Sequence, residues 1–205
     1  MIPRIEQKVE LKKANYYWAI NWLSKHNFSI LYPQRIVASV YFDNDSNEMY
    51  FNAQEGIIPR KKIRIRTYNN INFLSLNNNY ILEKKITLEN TRLKSVKKCS
   101  FIKKYFTEGL FDEDYYYCFP KILITYNREY FKFKNFRITI DRDIQYFDYT
   151  NGLSEFAISD DSYVLEIKTN ANENLCFLSN FFDFPRTKFS KYERGMEALE
   201  AKLNN

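Results

Sequence analysis

Lys62-Ile63-Arg64-Ile65-Arg66 alternates cation with isoleucine over its whole length. Successive side chains of a β-strand point to opposite faces, so this run reads as a strand with its three cations on one face and both isoleucines on the other. The same alternation recurs along the chain in Arg4-Ile5-Glu6-Gln7-Lys8, Glu83-Lys84-Lys85, Tyr126-Asn127-Arg128, Arg137-Ile138-Thr139-Ile140-Asp141 and Leu165-Glu166-Ile167-Lys168. A cationic strand face repeated this often, with a carboxylate on several of the strands, exceeds what solubility needs. If the strands close into a barrel with the charges inside, the lumen becomes a receptor for a polyanion.

The 205 residues, 45% of them hydrophobic, show no break in composition, so a single domain over 1–205 is expected. The net charge of +6 comes from 31 basic and 25 acidic residues that are interspersed. That pattern favours an anion-binding site over a surface that coats DNA. No stretch approaches the roughly 18 to 20 apolar residues that cross a bilayer, and Met1-Ile2-Pro3-Arg4 does not open a signal peptide; a cytoplasmic location is expected. Cys99, Cys118 and Cys176 lack the spacing of a zinc site or redox pair and read as packing residues. With His26 as the one histidine, a Ser-His-Asp triad, a histidine-rich metal site and a histidine general base are all disfavoured. The glycines at 56, 109, 152 and 195 fit neither P-loop nor dinucleotide-fold spacing.

Along the chain, strands are expected at 3–11, Ile36 to Asp43, Lys61 to Tyr68, Tyr80 to Leu88, Lys121 to Lys134, Phe136 to Asp143 and Tyr163 to Thr169. Helices are expected from Lys12 to Lys25, with Tyr16, Ala19, Ile20 and Leu23 at helical spacing, and briefly after Asn44-Asp45-Ser46. Further helices are expected after Ser100, over Asn174 to Phe182, and from Ser190 to Leu203, where Glu193 completes a capping-box pattern. The asparagine-rich stretch Asn69 to Asn79, Asp112 to Tyr117 and 149–161 read as connections, and Thr91 to Lys98 as a basic stretch. The fold class is α+β, an antiparallel barrel buttressed by helices.

In this order the segments resemble the VTC domain of polyphosphate polymerases, within the triphosphate tunnel metalloenzyme (CYTH-like) superfamily. The resemblance is carried by Arg4-Ile5-Glu6-Gln7-Lys8, Val40-Tyr41-Phe42-Asp43, Lys62-Ile63-Arg64-Ile65-Arg66 and Leu82-Glu83-Lys84-Lys85 in the first half of the chain. Tyr126-Asn127-Arg128-Glu129, Arg137-Ile138-Thr139-Ile140-Asp141, Val164-Leu165-Glu166-Ile167-Lys168 and Lys188-Phe189-Ser190-Lys191-Tyr192 carry it in the second. Each string is weak alone; the shared order is the strong signal. The resemblance implies an eight-stranded antiparallel barrel forming a triphosphate tunnel, with Lys8, Arg64, Arg66, Lys85, Arg128, Arg137, Lys188 and Lys191 as phosphate-binding cations. It also implies Tyr126 and Ser190 as hydroxyl donors, Glu166 as the anchor of Mn²⁺ or Mg²⁺, and Glu6 and Glu83 as additional tunnel carboxylates. Thr87 departs from the pattern, standing where yeast-type enzymes carry a histidine.

The bland alternatives are concrete. The alternating segments could be exposed strand faces with weak cross-strand ion pairs, Glu166 a simple partner of Lys168, Tyr126 a core aromatic and Ser190 only a helix cap. Against them, arginine forks suit bidentate phosphate contacts, and a carboxylate suits a hard divalent ion. The expected activity is metal-dependent phosphoryl transfer from ATP to the end of a polyphosphate chain, with release of ADP. The alternatives are an inorganic or nucleoside triphosphatase and a noncatalytic polyphosphate-binding module. The expected partners are ATP or another triphosphate and polyphosphate, with no nucleic acid.

Overall fold

A computed structural model describes residues 4–69, 79–89, 91–100, 102–170 and 186–203. In chain order the strands are β1 (Arg4–Leu11), β2 (Ser29–Asp43), β3 (Arg60–Tyr68), β4 (Tyr80–Thr87), β5 (Arg92–Cys99), β6 (Leu110–Asp112), β7 (Tyr116–Phe133), β8 (Phe136–Asp148), β9 (Ala157–Asp160) and β10 (Tyr163–Asn170). The helices are α1 (Lys13–Lys25), α2 (Glu48–Gln54), α3 (Lys103–Thr107) and the C-terminal α4 (Lys191–Leu203). The chain is therefore sheet-dominated α+β. The asparagine-rich connection lies largely outside the described residues, and the helix expected over Asn174 to Phe182 and Cys176 lie wholly outside them.

The hydrogen-bonded order is β1-β10-β8-β7-β2-β3-β4-β5, with β6 on β7 and β9 on β8. The expected closed barrel does not form: β1 and β5 are the ends of this order among the described residues. The reason lies in the two edges. Along β5 nearly every residue is exposed, and Arg92, Lys94, Lys97 and Lys98 place charge on an edge that would otherwise invite another strand. The free side of β1 meets a short neighbour at Arg186 and Thr187, through the bridge Val9–Arg186 and the bond from Thr187 N to Lys8 O at 3.0 Å.

Contacts group the chain into two compact units, one of 1–35, 126–144 and 160–189, the other of 36–125, 145–159 and 190–205. In the first, β1 pairs antiparallel with β10, and β10 with β8. One face of these strands, Val9, Leu11, Leu165, Ile167, Ile138 and Ile140, packs with Ala19, Trp22 and Leu23 of α1 to make the core. Burying this face fixes the opposite one as charged, because a one-residue slip would invert every side chain.

In the second unit β3 lies between β2 and β4, and β4 pairs with β5, all antiparallel. Ala38, Val40, Phe42, Ile63, Ile65 and Tyr80 form its core with Leu110, Tyr115, Cys118 and Leu123. On this apolar side Lys61 and Lys84 both bind the buried Asp112, at 2.6 and 2.7 Å. Those two lysines are thus structural, and they belong to the opposite parity from Lys62 and Lys85. Cys118 is fully buried, and burial pushes its thiol up to about 12, as a packing residue requires.

Several local expectations are corrected. Ser100 does not cap α3, whose N-cap is Ile102. The cap expected from Asn44-Asp45-Ser46 is present on α2, where Asn44 Oδ1 accepts from Glu48 N at 3.0 Å, and Asp43 adds to it by accepting from Met49 N and Tyr50 N at 3.0 and 2.9 Å. Asp112 to Tyr117 is not a plain connection: β6 and the start of β7 form a hairpin through Leu110–Cys118 pairing. The basic stretch after Thr91 is a full strand. Its cations hide the alternation because they fall on both faces of an edge.

Candidate functional site

In the second unit the antiparallel register lines up the side chains of one sheet face. Tyr41 and Glu83 both pair with Arg64, Ser39 pairs with Arg66, and Lys85 lies between Lys62 and Lys94. The parity of 62, 64 and 66 on β3 and of 83 and 85 on β4 therefore converges on a single face. Arg64 donates from Nε to Glu83 Oε2 at 2.6 Å and from Nη1 to the Tyr41 hydroxyl at 2.7 Å. Arg66 donates from Nε to Ser39 Oγ at 3.0 Å and approaches Glu83 at 3.7 Å, while Lys94 reaches the other Glu83 oxygen at 2.5 Å. Burial alone would raise the Glu83 carboxyl; Arg64, Arg66 and Lys94 outweigh it and hold it down at about 2.

The C-terminal helix completes this face. Ser190 Oγ accepts from Glu193 N at 3.4 Å, the expected cap, and also from Lys62 Nζ at 2.8 Å. Glu193 turns its carboxylate to Lys62 at 2.6 Å, so the capping-box residue serves as a counter-ion. Lys191 opens α4, where the helix terminus favours anions. Tyr192, the next residue, stacks on Tyr41 with ring centroids 4.9 Å apart and planes 10° apart.

In the first unit Glu6 and Lys8 on β1 stand opposite Lys168 and Glu166 on β10, which in turn face Arg137 and Thr139 on β8. Lys168 Nζ lies 3.1 Å from Glu166 and 3.9 Å from Glu6, and Lys8 Nζ lies 3.7 Å from Glu6 while donating to Phe189 O at 2.9 Å. Burial would raise the Glu166 carboxyl, but Lys168, a hydrogen bond shared with Glu6, Lys8 and Arg128 hold it well below the usual carboxylate range. Arg128 forks onto Asp141 with bonds of 2.5 and 2.7 Å, and its guanidinium stands 5.2 Å from the centre of the buried Tyr126 ring. The Arg137 guanidinium lies 5.6 Å from the Tyr130 ring. Lys188 is exposed.

The expected residues thus gather in two sets, Lys8, Glu6, Glu166, Arg128, Arg137 and Tyr126 in the first unit, and Arg64, Arg66, Lys85, Glu83, Ser190 and Lys191 in the second. Lys62, Lys94, Ser39 and Tyr41 join the second set, and Thr139 and Lys168 the first. Parity could have found Lys62 and Lys168, since each shares a strand face with an expected residue. The others depend on which strands are neighbours, which local pattern does not contain.

Glu166 and Glu6 are oxygen donors side by side, a set that fits a hard divalent ion completing its shell with waters and phosphate oxygens. Among the described residues no group of three or more His, Cys, Asp or Glu could hold a metal ion. An ion bound here would therefore depend on ligands from the substrate. No helix among the described residues is long and apolar enough to cross a membrane.

A family profile described as "VTC domain" matches residues 3–200. No curated protein matches the chain. Among solved structures, a conserved hypothetical protein from Pyrococcus furiosus aligns at 14% identity and a TM-score of 0.54, covering 89% of this chain and 92% of that one. A candidate adenylate cyclase from Vibrio parahaemolyticus aligns at 12% identity and a TM-score of 0.53, covering 95% of this chain and 97% of its own. At such identities the likeness speaks to the fold alone.

Proposed function

Because this chain belongs to the VTC domain family, matched over residues 3–200, we propose that it is a metal-dependent phosphotransferase that moves the γ-phosphoryl group of ATP to the end of a polyphosphate chain and releases ADP. Membership of the family points to triphosphate or polyphosphate as the substrate class. The observation that most supports the reading is the clustering of Lys62, Arg64, Arg66, Lys85 and Lys94 on one sheet face around the buried carboxylate of Glu83. Like charges set opposite one another across strands destabilise a sheet. A face built this way is explained by an anionic ligand that replaces its own hydration with these donors.

In the proposed reaction a terminal polyphosphate oxygen forms a bond to the γ-phosphorus. The bond from that phosphorus to the β,γ-bridging oxygen breaks, and ADP leaves with the electron pair. In the second unit Arg64 and Arg66 are assigned as planar donors to non-bridging phosphate oxygens, with Lys85 and Lys191 as point charges; in the first unit Arg128 and Arg137, and Lys8 and Lys188, are assigned the same two roles. Glu166, with Glu6 beside it, would hold Mn²⁺ or Mg²⁺, which supplies charge neutralisation to the phosphates when bound. Tyr126 and Ser190 are assigned as hydroxyl donors. The nucleophile is already anionic, so no proton has to be removed. That agrees with His26 closing α1 and stacking on Trp22 at 4.1 Å instead of entering either charged set.

The test is to incubate the protein with ATP and Mn²⁺ and to resolve the products by gel and by nucleotide chromatography. Long polyphosphate with stoichiometric ADP is the expected result. Free phosphate without chains would establish a triphosphatase, and intact ATP with a tripolyphosphate-induced rise in melting temperature would establish a binding module. Arg66→Ala and Glu166→Gln should each abolish turnover with the far-ultraviolet dichroism retained; unchanged rates in both would overturn the site assignment.

A further inference from the structure

Tyr41 is held on the second unit's charged face more firmly than a spare aromatic requires. Its ring is buried and stacked on Tyr192, and the Tyr192 hydroxyl donates to Asp43 Oδ2 at 2.7 Å. Asp43 is itself fixed by the backbone N–H groups of Asn44, Met49 and Tyr50. The Tyr41 oxygen consequently meets Arg64 Nη1 at 2.7 Å, while the other side of that guanidinium is taken by Glu83. A phosphate oxygen approaching Arg64 seeks the same donor.

We propose that Tyr41 is the resident counter-anion of this face: a positioning residue that holds Arg64 ready for a polyphosphate ligand and, once ionised, competes with that ligand for the same cations. The inference rests on the reading of the face as a triphosphate or polyphosphate site.

The surroundings favour it. Arg64, Arg66 and Lys62 on β3 act on the phenol directly. Glu83 on β4 and Glu193 on α4 act through Arg64 and Lys62, to which they are bonded. Tyr192 on α4 presents a neutral ring, its hydroxyl pushed well up by burial and by Asp43. Burial would raise the Tyr41 phenol too, yet Arg64 and Arg66, the bond from Arg64, and Lys62 bring it down to about 8. A bound polyanion supplies the negative charge that the phenolate otherwise supplies, so the two states exclude each other. By linkage, ligand binding above the midpoint takes up one proton, and affinity falls about tenfold for each pH unit beyond it.

The experiment uses the whole protein, metal-free tripolyphosphate, and the variants Tyr41→Phe and Tyr192→Phe. The ultraviolet phenolate band is followed from neutrality upward, with and without ligand, and affinity is measured over the same range by calorimetry. Wild type should show one phenolate with a midpoint near 8, shifted upward by saturating tripolyphosphate. Tyr192→Phe should keep that early phenolate and Tyr41→Phe should lack it. At neutral pH Tyr41→Phe should bind a few-fold more weakly, having lost the hydroxyl that orients Arg64, and the steep loss of affinity at higher pH should disappear. Tripolyphosphate's own ionisation is common to all three proteins and cancels in the comparison. The proposal is overturned if wild type and Tyr41→Phe titrate alike, or if their affinities follow the same pH course. Failure of wild type to bind tripolyphosphate at neutral pH would instead overturn the reading of the face on which the proposal rests.

Discussion

Replacing Asp141 by Asn should lower the melting temperature by about 7 K at neutral pH and low salt. Asp141 is 1% exposed, and both its oxygens accept from the Arg128 guanidinium. Burial by itself would disfavour the Arg128 cation; Asp141 is the largest influence that keeps it charged. Asparagine keeps the volume of the side chain, so no cavity forms and the loss is electrostatic. Removing one partner of a buried pair costs roughly 3 to 5 kcal/mol, and the conservative change places the effect at the lower end. At about 2.1 cal/mol/K per residue, the unfolding entropy of a 205-residue chain is near 0.4 kcal/mol/K, so a loss of about 3 kcal/mol corresponds to about 7 K. Differential scanning calorimetry reads this directly. Adding Arg128→Met to Asp141→Asn should recover part of the loss, since the unpaired charge is then gone. Tripolyphosphate should raise the melting temperature of Asp141→Asn more than that of wild type, because the ligand supplies the missing anion. A melting temperature within about 2 K of wild type for Asp141→Asn would refute the reasoning, since by the same scale it corresponds to less than about 1 kcal/mol for a buried charge left unpaired.

Two further outcomes follow from features of the second unit. Gly195→Ala would place a Cβ 2.6 Å from Ile122 Cδ1 and 2.8 Å from Tyr146 Cδ1 inside a packed core, so the helix-propensity gain of alanine is overridden and the melting temperature falls by about 2 to 5 K; an equal or higher value would contradict the crowding. Glu83 is held at about 2 against an ordinary 4.5, so the folded state binds its proton less readily than the unfolded chain does. Its contribution is complete above the ordinary value and is lost as pH falls from there toward 2, about 3 kcal/mol in all. Urea midpoints of Glu83→Gln should therefore fall less steeply over that interval than those of wild type, and parallel slopes would rule the linkage out.

What the sequence disclosed was parity. Alternation in Lys62–Arg66, Glu83–Lys85 and Glu166–Lys168 assigned each side chain to its face, because period 2 is a local property of a strand. Neighbourhood was not disclosed. That Tyr41 sits beside Arg64, or Thr139 beside Glu166, follows from which strands pair and in what register, and these are set by the cores on the opposite faces. Ion pairing was hidden for the same reason: Asp141 reads as the end of a strand motif until Arg128 is found opposite it. The β5 strand was missed because exposure on both faces removes the alternation that marks a half-buried strand. The open edge it forms replaced the closed barrel expected from the strand pattern and from the resemblance.

The row Lys62, Lys85 and Lys94 runs across three strands, not along one. Its pitch is therefore the separation of hydrogen-bonded strands, about 4.8 Å, a constant of the peptide backbone that no substitution in the row can alter. A ligand read at that pitch is measured against the ladder itself. The links joining β3 to β4 and β4 to β5 can lengthen or shorten over evolutionary time without disturbing the measure. A slip of one residue in pairing would erase it at once. Such a face is open to drift in its loops and closed to drift in its register.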